Sequence, residues 1–183
     1  MSALILLAAG QSRRFGPSDK LLADYRGTPL ALYTARAVSE GWTSARIAVV
    51  SNPAVGEGLR DAGWDCVFNP APEAGQSGSL ALGVKAAGAQ TVVIALADMP
   101  GVGADHIGAL ADAVNRCGTA ISTHDGVRMP PAGFSAEHHA ALLSLRGDQG
   151  ARTVFERHPG AELPLDAAAM RDIDRASDLE AAL

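Results

Sequence analysis

A loop of small residues near the N terminus carries three cationic side chains. Residues 8–10 read Ala-Ala-Gly at the end of a short apolar run, and Arg13, Arg14 and Lys20 follow shortly after. Small residues let backbone N–H groups approach a ligand, and Arg and Lys bind phosphate oxygens. We predict that this loop holds the phosphates of a nucleoside triphosphate. The alternative is a tight strand-to-helix connection whose charges face water.

A carboxylate follows the segment that reads most clearly as a strand. Residues 91–96 read Thr-Val-Val-Ile-Ala-Leu, and Asp98 comes just before Met99 and Pro100. A carboxylate at the end of a buried strand needs water, a partner or a metal ion. Near a triphosphate that metal is Mg²⁺, which needs only one or two protein carboxylates. The alternatives are a turn-forming or capping aspartate and the phospho-accepting aspartate of a receiver domain, which also requires an acidic pair after the first strand.

Two more carboxylates lie near the C terminus. Asp172 and Asp174 flank Ile173, and in an extended segment residues two apart point to the same side. Both side chains therefore face either one site or water. If one of them shares a Mg²⁺ ion with Asp98, we favour Asp174.

Two polar loops are bracketed by glycines. Residues 75–79 read Gly-Gln-Ser-Gly-Ser before a predicted helix, where a helix N terminus favours anions or base edges. Residues 147–152 read Gly-Asp-Gln-Gly-Ala-Arg, which suits a second substrate with an anionic group. Both could instead be simple helix caps.

Other chemistries find less support. The five histidines lack carboxylate or cysteine partners at ligand spacing and are expected at the surface, and two cysteines are too few for a disulfide framework. The chain has no Gly-x-Ser-x-Gly elbow, no Gly-x-Gly-x-x-Gly dinucleotide fingerprint and no P-loop Gly-Lys-Ser/Thr ending. These absences disfavour a serine hydrolase, an NAD(P) oxidoreductase and a P-loop ATPase.

The hydrophobic pattern predicts the elements that position these residues. Apolar runs at 4–7, 45–50, 64–68, 91–96 and 119–123 read as strands, and 29–40, 53–62, 79–87 and 104–116 read as helices. This alternation favours an α/β fold, a mostly parallel sheet with helices on both faces. Ligands of such sheets bind beyond the carboxyl ends of the strands, where the first loop, the 69–79 loop and Asp98 all fall.

The pattern is less regular after residue 123. We expect a turn with one or two edge strands at 124–132, helices at 136–145 and 151–158, and a strand at 161–165. Residues 170–174 are expected to be extended, and 176–183 to form a closing helix capped by Ser177 or Asp174.

Chain length, net charge and hydropathy limit the domain number and the classes of partner that we expect. The 183 residues predict a single domain spanning 1–183, and a net charge of −5 gives no electrostatic case for nucleic acid. We expect no membrane segment and a cytoplasmic location, because no apolar run approaches the ~20 residues needed to span a bilayer.

Together these segments resemble the MobA-like nucleotidyltransferases, which join a nucleotide to a phosphorylated acceptor and release pyrophosphate. The matching segments follow the family's order at residues 7–16, 19–22, 27–30, 69–70, 75–80, 97–100, 147–152 and 172–174. The Ala-Ala-Gly loop, the Gly-Asp-Gln-Gly-Ala-Arg segment and Asp-Ile-Asp look most like the branch of molybdenum cofactor cytidylyltransferases.

The resemblance implies a three-layer Rossmann-like nucleotidyltransferase fold, Mg²⁺ as cofactor, and transfer of CMP from CTP to molybdopterin. By position it implies nucleotide binding by Leu7, Ala8, Ala9, Gly10, Ser12, Arg14, Lys20, Asn69, Gly75, Ser77, Gly78 and Ser79. It implies acceptor binding by Asp148, Gln149, Gly150 and Arg152. Asp98 with Asp174 or Asp172 would bind the metal, and Arg14, Lys20 and Asp98 would be catalytic.

One segment departs from the branch. Where it usually has Arg-Gly-His-Pro, this chain has Arg128-Met129-Pro130 on the expected acceptor side. The acceptor can therefore differ from molybdopterin, and a sugar phosphate or methylerythritol phosphate is an alternative. A non-catalytic nucleotide-binding protein serving a molybdoenzyme is the alternative from another class, and such an enzyme is the protein partner we consider.

Overall fold

The structure, a computed structural model, describes residues 2–12, 15 and 19–180. Arg14, one of the predicted catalytic residues, lies outside these ranges. The strands of the described chain are β1 Ser2–Ala8, β2 Asp24–Tyr25, β3 Thr28–Pro29, β4 Arg46–Val50, β5 Asp65–Phe68, β6 Thr91–Leu96, β7 Thr119–His124, β8 Val127–Phe134 and β9 Ala161–Pro164. The helices are α1 Leu30–Ser39, α2 Pro53–Asp61, α3 Gln76–Ala87, α4 Ala104–Cys117, α5 His139–Leu143, α6 Ala151–Arg157 and α7 Ala176–Glu180.

A seven-stranded sheet forms the centre of the molecule, in the order β5-β4-β1-β6-β8-β7-β9. Strands β5, β4, β1 and β6 run parallel, whereas β8 runs antiparallel to both β6 and β7. The predicted mostly parallel sheet is therefore confirmed.

The central strand β1 is buried on both faces. Successive side chains of a strand point to opposite sides, so Leu4 and Leu6 pack with α1, α2 and α4 while Ile5 and Leu7 pack with α3, α5 and α6. This two-sided burial explains why the strand reads as a continuous apolar run rather than an alternating one. The predicted three-layer arrangement is confirmed.

Helix α3 lies very close to the sheet. A Cβ atom on Gly83 would be only 2.6 Å from Cγ2 of Ile5. Glycine at this position therefore lets α3 pack closely against β1 and β4.

Three sequence predictions were wrong in detail. Helix α3 begins at Gln76 rather than at residue 79, because the Ser77 N–H finds an acceptor in the carbonyl of Gly147, 3.0 Å away. Strand β8 is internal rather than an edge strand. Ser177 lies inside α7 rather than at its N-cap, and the backbone N–H groups of Asp174 and Arg175 donate to the carboxylate of Asp178 in the first turn.

Two short 3-10 turns, Lys20–Leu22 and Pro72–Ala74, were not predicted, and the helix expected at 136–145 is a 3-10 turn at Ala136–His138 followed by α5. No helix within the described ranges is long and apolar enough to cross a membrane.

Candidate active site

Lys20 lies between two carboxylates from distant parts of the chain. Its Nζ atom is 2.7 Å from Oδ2 of Asp98 and 2.9 Å from Oδ1 of Asp174. The Lys20 side chain is only 9% exposed, Asp98 is 19% exposed and Asp174 is 37% exposed. Three of the residues that the sequence singled out thus meet at one point.

Backbone contacts deliver the two carboxylates to this point. The N–H of Ala97 donates to the carbonyl of Leu7, which ties the end of β6 to the end of β1. The N–H of Ile173 donates to the carbonyl of Asp98 at 2.9 Å, and the Ile173 side chain is buried. This anchor sets Asp174 against Lys20, whereas Asp172 is exposed.

Asp19 holds the turn that carries Lys20. Its carboxylate accepts hydrogen bonds from the N–H of Leu21 at 3.0 Å, from the Ser12 hydroxyl at 3.2 Å and from Nδ2 of Asn52 at 2.9 Å. Sequence reasoning gave no role to Asp19 or Asn52. The only available signal was an aspartate directly before Lys20, at a position suited to capping a helical turn.

Burial and neighbouring charges shift the pKa values of Lys20 and Asp98. Burial lowers the pKa of Lys20, but the attraction of Asp98 and Asp174 more than offsets this, so its pKa is raised. Burial raises the pKa of Asp98 most strongly, Lys20 lowers it again only in part, and the charge of Asp172 adds a smaller increase. Asp172 thus acts on the site through its charge, although among the described residues it forms no hydrogen bond or ion pair with Lys20.

A cavity of about 330 Å³ opens beside Lys20, a volume within the usual range for small-molecule sites. It is bounded by the first loop, the 3-10 turn at Pro72–Ala74, the start of α3 and the end of β6. The described lining consists of Leu7, Ala9, Gly10, Gln11, Lys20, Leu21, Pro72, Glu73, Gly75, Gln76, Ser79, Leu96, Asp98 and Asp148.

A second cavity of about 460 Å³ adjoins the first. The two share Leu7, Gln76, Leu96 and Asp148 as lining residues. The remaining described lining of the second comes from Leu80, Ile94, Val127, Arg128, Met129, Pro130, Ala132, Gly150, Ala151, Arg152 and Thr153. Two adjoining cavities suit a reaction between two substrates.

Arg128 is a fixed cation in the second cavity. Its Nε and Nη2 atoms lie 2.8 and 2.7 Å from the same oxygen of Glu162, and its guanidinium lies 5.4 Å from the ring centre of Phe155. Arg152, the other arginine of this lining, pairs with Glu156 on the exposed side of α6. The cavity therefore presents two guanidinium groups, each paired with a glutamate, next to an apolar wall.

A bulge in β8 shapes that wall. The pairing of β7 with β8 shifts between Ile121 and Ser122, which leaves Pro130 and Pro131 without a partner residue on β7. The buried Ser122 hydroxyl donates to the carbonyl of Pro131 at 2.8 Å, and Nε2 of His106 lies 2.8 Å from the same hydroxyl. Since the hydroxyl has only one proton, His106 donates to it; burial lowers the pKa of this histidine, which is not the surface residue expected.

The predicted nucleotide-binding residues divide into two groups. Leu7, Ala9, Gly10, Lys20, Gly75 and Ser79 line the first cavity. Ala8, Asn69 and Ser77 are buried and are not among its described lining, Gly78 lies in the first turn of α3, and Ser12 is hydrogen-bonded to Asp19.

Asn69 stabilises the loop that leads into α3. Its Nδ2 donates to the Ser79 hydroxyl at 2.9 Å and its Oδ1 accepts from the N–H of Ala71, also at 2.9 Å. With both ends of the amide engaged and 3% exposure, Asn69 fixes the loop between β5 and α3.

The predicted acceptor loop packs directly on α3. A Cβ on Gly75, whose φ is +99°, would lie 2.4 Å from the carbonyl of Gly147. Asp148 lines both cavities and Gly150 and Arg152 line the second, whereas Gln149 turns back to accept from the N–H of Arg146. Sequence reasoning missed Gln76 and Glu73, which lie at the first cavity's rim on exposed positions next to Gly75.

The whole arrangement corresponds to a known domain. Residues 4–162 match the MobA-like NTP transferase domain. The chain belongs to this family. A curated MobA-like relative, the purine catabolism protein PucB of Bacillus subtilis strain 168, is 32% identical over 93% of this chain and 88% of PucB.

Solved structures share the fold. The homolog of Rv0371c from Mycobacterium sp. strain JC1 superposes with a TM-score of 0.82 at 25% identity, covering 98% of this chain and 93% of that one. Rv0371c of Mycobacterium tuberculosis in complex with manganese gives a TM-score of 0.80 at 24% identity, covering 100% and 97% of the two chains. A divalent metal ion thus binds a protein of this fold.

The residues around Lys20 fit a divalent ion that arrives with phosphate. Asp98 and Asp174 already bracket one positive charge, so their oxygens suit a cation. Within the described part of the chain, no group of three or more His, Cys, Asp or Glu side chains could hold a metal. A divalent ion held by these two carboxylates would therefore need phosphate and water oxygens as its other ligands, as is usual for Mg²⁺.

Proposed function

We propose that this chain is a Mg²⁺-dependent nucleotidyltransferase that transfers CMP from CTP to a phosphorylated acceptor, with molybdopterin as the leading candidate. The observation that carries the proposal is the meeting of Lys20, Asp98 and Asp174 at the edge of a cavity that adjoins a second, arginine-bearing cavity. Family membership supports the reaction type, and the choice of CTP rests on the Ala-Ala-Gly loop.

In the proposed reaction an oxygen of the acceptor phosphate bonds to the α-phosphorus of the nucleotide. The bond from that phosphorus to the oxygen bridging to the β-phosphate breaks, and pyrophosphate leaves with the bonding electrons. Asp98 and Asp174 would hold the metal ion, which would supply neutralisation of the phosphate charge. Lys20 supports the departing pyrophosphate with its ammonium group, and catalysis needs no covalent bond to the protein.

The second cavity is the proposed acceptor site. Arg128 and Arg152 supply positive charge for the acceptor phosphate, while Met129 and Pro130 present apolar surface where the related branch usually has Gly-His. This surface suits a planar or apolar body in the acceptor, as in a pterin. A sugar phosphate and methylerythritol phosphate are the alternative acceptors, to be compared directly with molybdopterin.

The proposed protein partner is a molybdoenzyme that receives the finished cofactor. The B. subtilis relative is named for purine catabolism, and we extend this to the proposal that the recipient acts in purine breakdown.

The test is pyrophosphate release with CTP, GTP, ATP and UTP against molybdopterin, a sugar phosphate and methylerythritol phosphate, with and without Mg²⁺. We expect release with CTP and molybdopterin that requires the metal. Asp98→Asn should lower the rate by at least about 100-fold, whereas the exposed Asp112→Asn serves as a matched control with an unchanged rate. Binding of nucleotide without pyrophosphate release from any pair would favour the non-catalytic accessory role.

A further inference from the structure

Lys20 occupies the position that a metal ion would need. We propose that its ammonium group is an internal cation that keeps divalent metal off Asp98 and Asp174 until a nucleotide draws the lysine away. This inference rests on the proposed function, because it assigns a metal–nucleotide complex to the same site.

The distances make the lysine and a metal ion mutually exclusive. The Lys20 nitrogen lies 2.7 Å from Asp98 and 2.9 Å from Asp174, and Mg²⁺ bound to the same oxygens would lie about 2.1 Å from them. Two cations cannot share that space. Charge also disfavours metal binding, because the Lys20 ammonium already offsets much of the negative charge that would attract a metal ion.

The remainder of the site does not compensate for this competition. No third His, Cys, Asp or Glu completes a metal cluster with these carboxylates among the residues described. A metal entering alone would have to expel Lys20 and would gain only two protein ligands. A metal entering with a triphosphate brings its own phosphate oxygens.

The structure also gives Lys20 another anion to bind. Lys20 lines the first cavity, so its flexible stem can carry the ammonium from the carboxylates to bound phosphates. The backbone need not move, because Asp19 fixes the turn through Leu21, Ser12 and Asn52. The exchange replaces Lys20 by metal at the carboxylates in the same event that brings Lys20 to the phosphates.

The chain offers a matched control for the test, because Lys20 and Lys85 are its only lysines. Lys85 is exposed on α3. Mn²⁺ binding without nucleotide would be measured from the electron paramagnetic resonance signal of free Mn²⁺, for the unaltered chain, Lys20→Met and Lys85→Met. We expect Lys20→Met to bind Mn²⁺ at least about tenfold more tightly than the unaltered chain. Lys85→Met should bind Mn²⁺ with the same affinity as the unaltered chain. Equal or weaker binding by Lys20→Met would overturn the proposal.

A second variant guards against loss of folding. Lys20→Gln removes the charge but keeps hydrogen-bond donors for the carboxylates, and circular dichroism would verify its fold. The same gain in Mn²⁺ affinity is expected, and the same absence of gain would overturn the proposal.

A measurement on the unaltered chain needs no variant. Acetylation of Lys20 relative to Lys85, read by mass spectrometry, should rise only at Mn²⁺ concentrations that fill the site. Mn²⁺ binding that leaves Lys20 reactivity unchanged would contradict the proposal. Since no arm measures catalysis, loss of pyrophosphate release would refute the proposed function without touching this result.

Discussion

At the scale of single residues, Lys20 is charged and buried because two carboxylates hold it. Its pKa is raised, so its contribution to the free energy of unfolding is fully present below the pKa of an unfolded lysine. That contribution is lost as the pH rises through the folded pKa.

We predict that Lys20→Met lowers the free energy of unfolding by about 2 kcal/mol at pH 7, a value reduced for the partial exposure of Asp174. The difference from the unaltered chain should shrink as the pH rises above the ordinary lysine pKa of about 10.4, because the pKa of folded Lys20 is raised. Urea denaturation at a series of pH values measures it, with Lys85→Met as control. A difference independent of pH would show that the ion pairs do not stabilise the fold.

The pKa of Asp98 sets the acidic limit of activity. Its pKa is raised chiefly by burial, so it takes up a proton at higher pH than an ordinary aspartate does. Metal and nucleotide binding need the ionised carboxylate. We therefore predict that the acidic limb of kcat/KM lies above about pH 4, the ordinary aspartate value. An acidic limb at or below that pH would contradict a raised pKa at a working carboxylate.

Sequence analysis identified Lys20, Asp98 and Asp174 because their types suit phosphate and metal chemistry. It did not find Asp19 and Asn52 as a pair. Their hydrogen bond joins a loop to the start of α2, and side chains that meet only through the fold leave no periodic signal in the chain.

At the scale of elements, the junction of α3 with the 147–150 loop decides the shape of the site. Gly75 has a φ of +99°, and a Cβ atom at this position would lie only 2.4 Å from the carbonyl of Gly147. The same loop accepts the N–H of Ser77. Both cavities therefore depend on glycine at position 75.

We predict that Gly75→Ala lowers the free energy of unfolding by more than about 1 kcal/mol, because alanine is strained at this φ and meets backbone. Thermal and urea unfolding measure this. Gly78→Ala is the control three residues further along the chain, since a Cβ there has no neighbour within 4 Å. It should be neutral or stabilise by about 0.5–1 kcal/mol. Equal effects of the two substitutions would refute the close packing.

Strand β8 shows why some elements escape sequence analysis. Prolines lack the N–H that a central strand needs, so Pro130 and Pro131 favour an edge strand. The fold instead places them in a bulge, where the ladder is already interrupted after Ile121. Ser122 then satisfies the Pro131 carbonyl. This compensation comes from another strand and could not be predicted from the proline pattern.

At the scale of the whole molecule, the three layers follow from regular features of the sequence. Alternating strands and helices, and apolar runs buried on both faces, predict the sheet and its coverings, and the superposition on related structures agrees. The adjoining of two cavities is a property of the complete fold. It requires β8, α6 and the 147–150 loop to meet the first loop at one edge of the sheet.

The central claim is that the first cavity binds a nucleoside triphosphate with a metal held by Asp98. Isothermal titration calorimetry of CTP, GTP, ATP and UTP with Mg²⁺ tests it without any knowledge of the acceptor. We predict that CTP binds in the presence of Mg²⁺, that Asp98→Asn loses at least about tenfold in affinity, and that Asp112→Asn binds as the unaltered chain does. Absence of binding by all four nucleotides, or equal affinity in Asp98→Asn, would contradict the account.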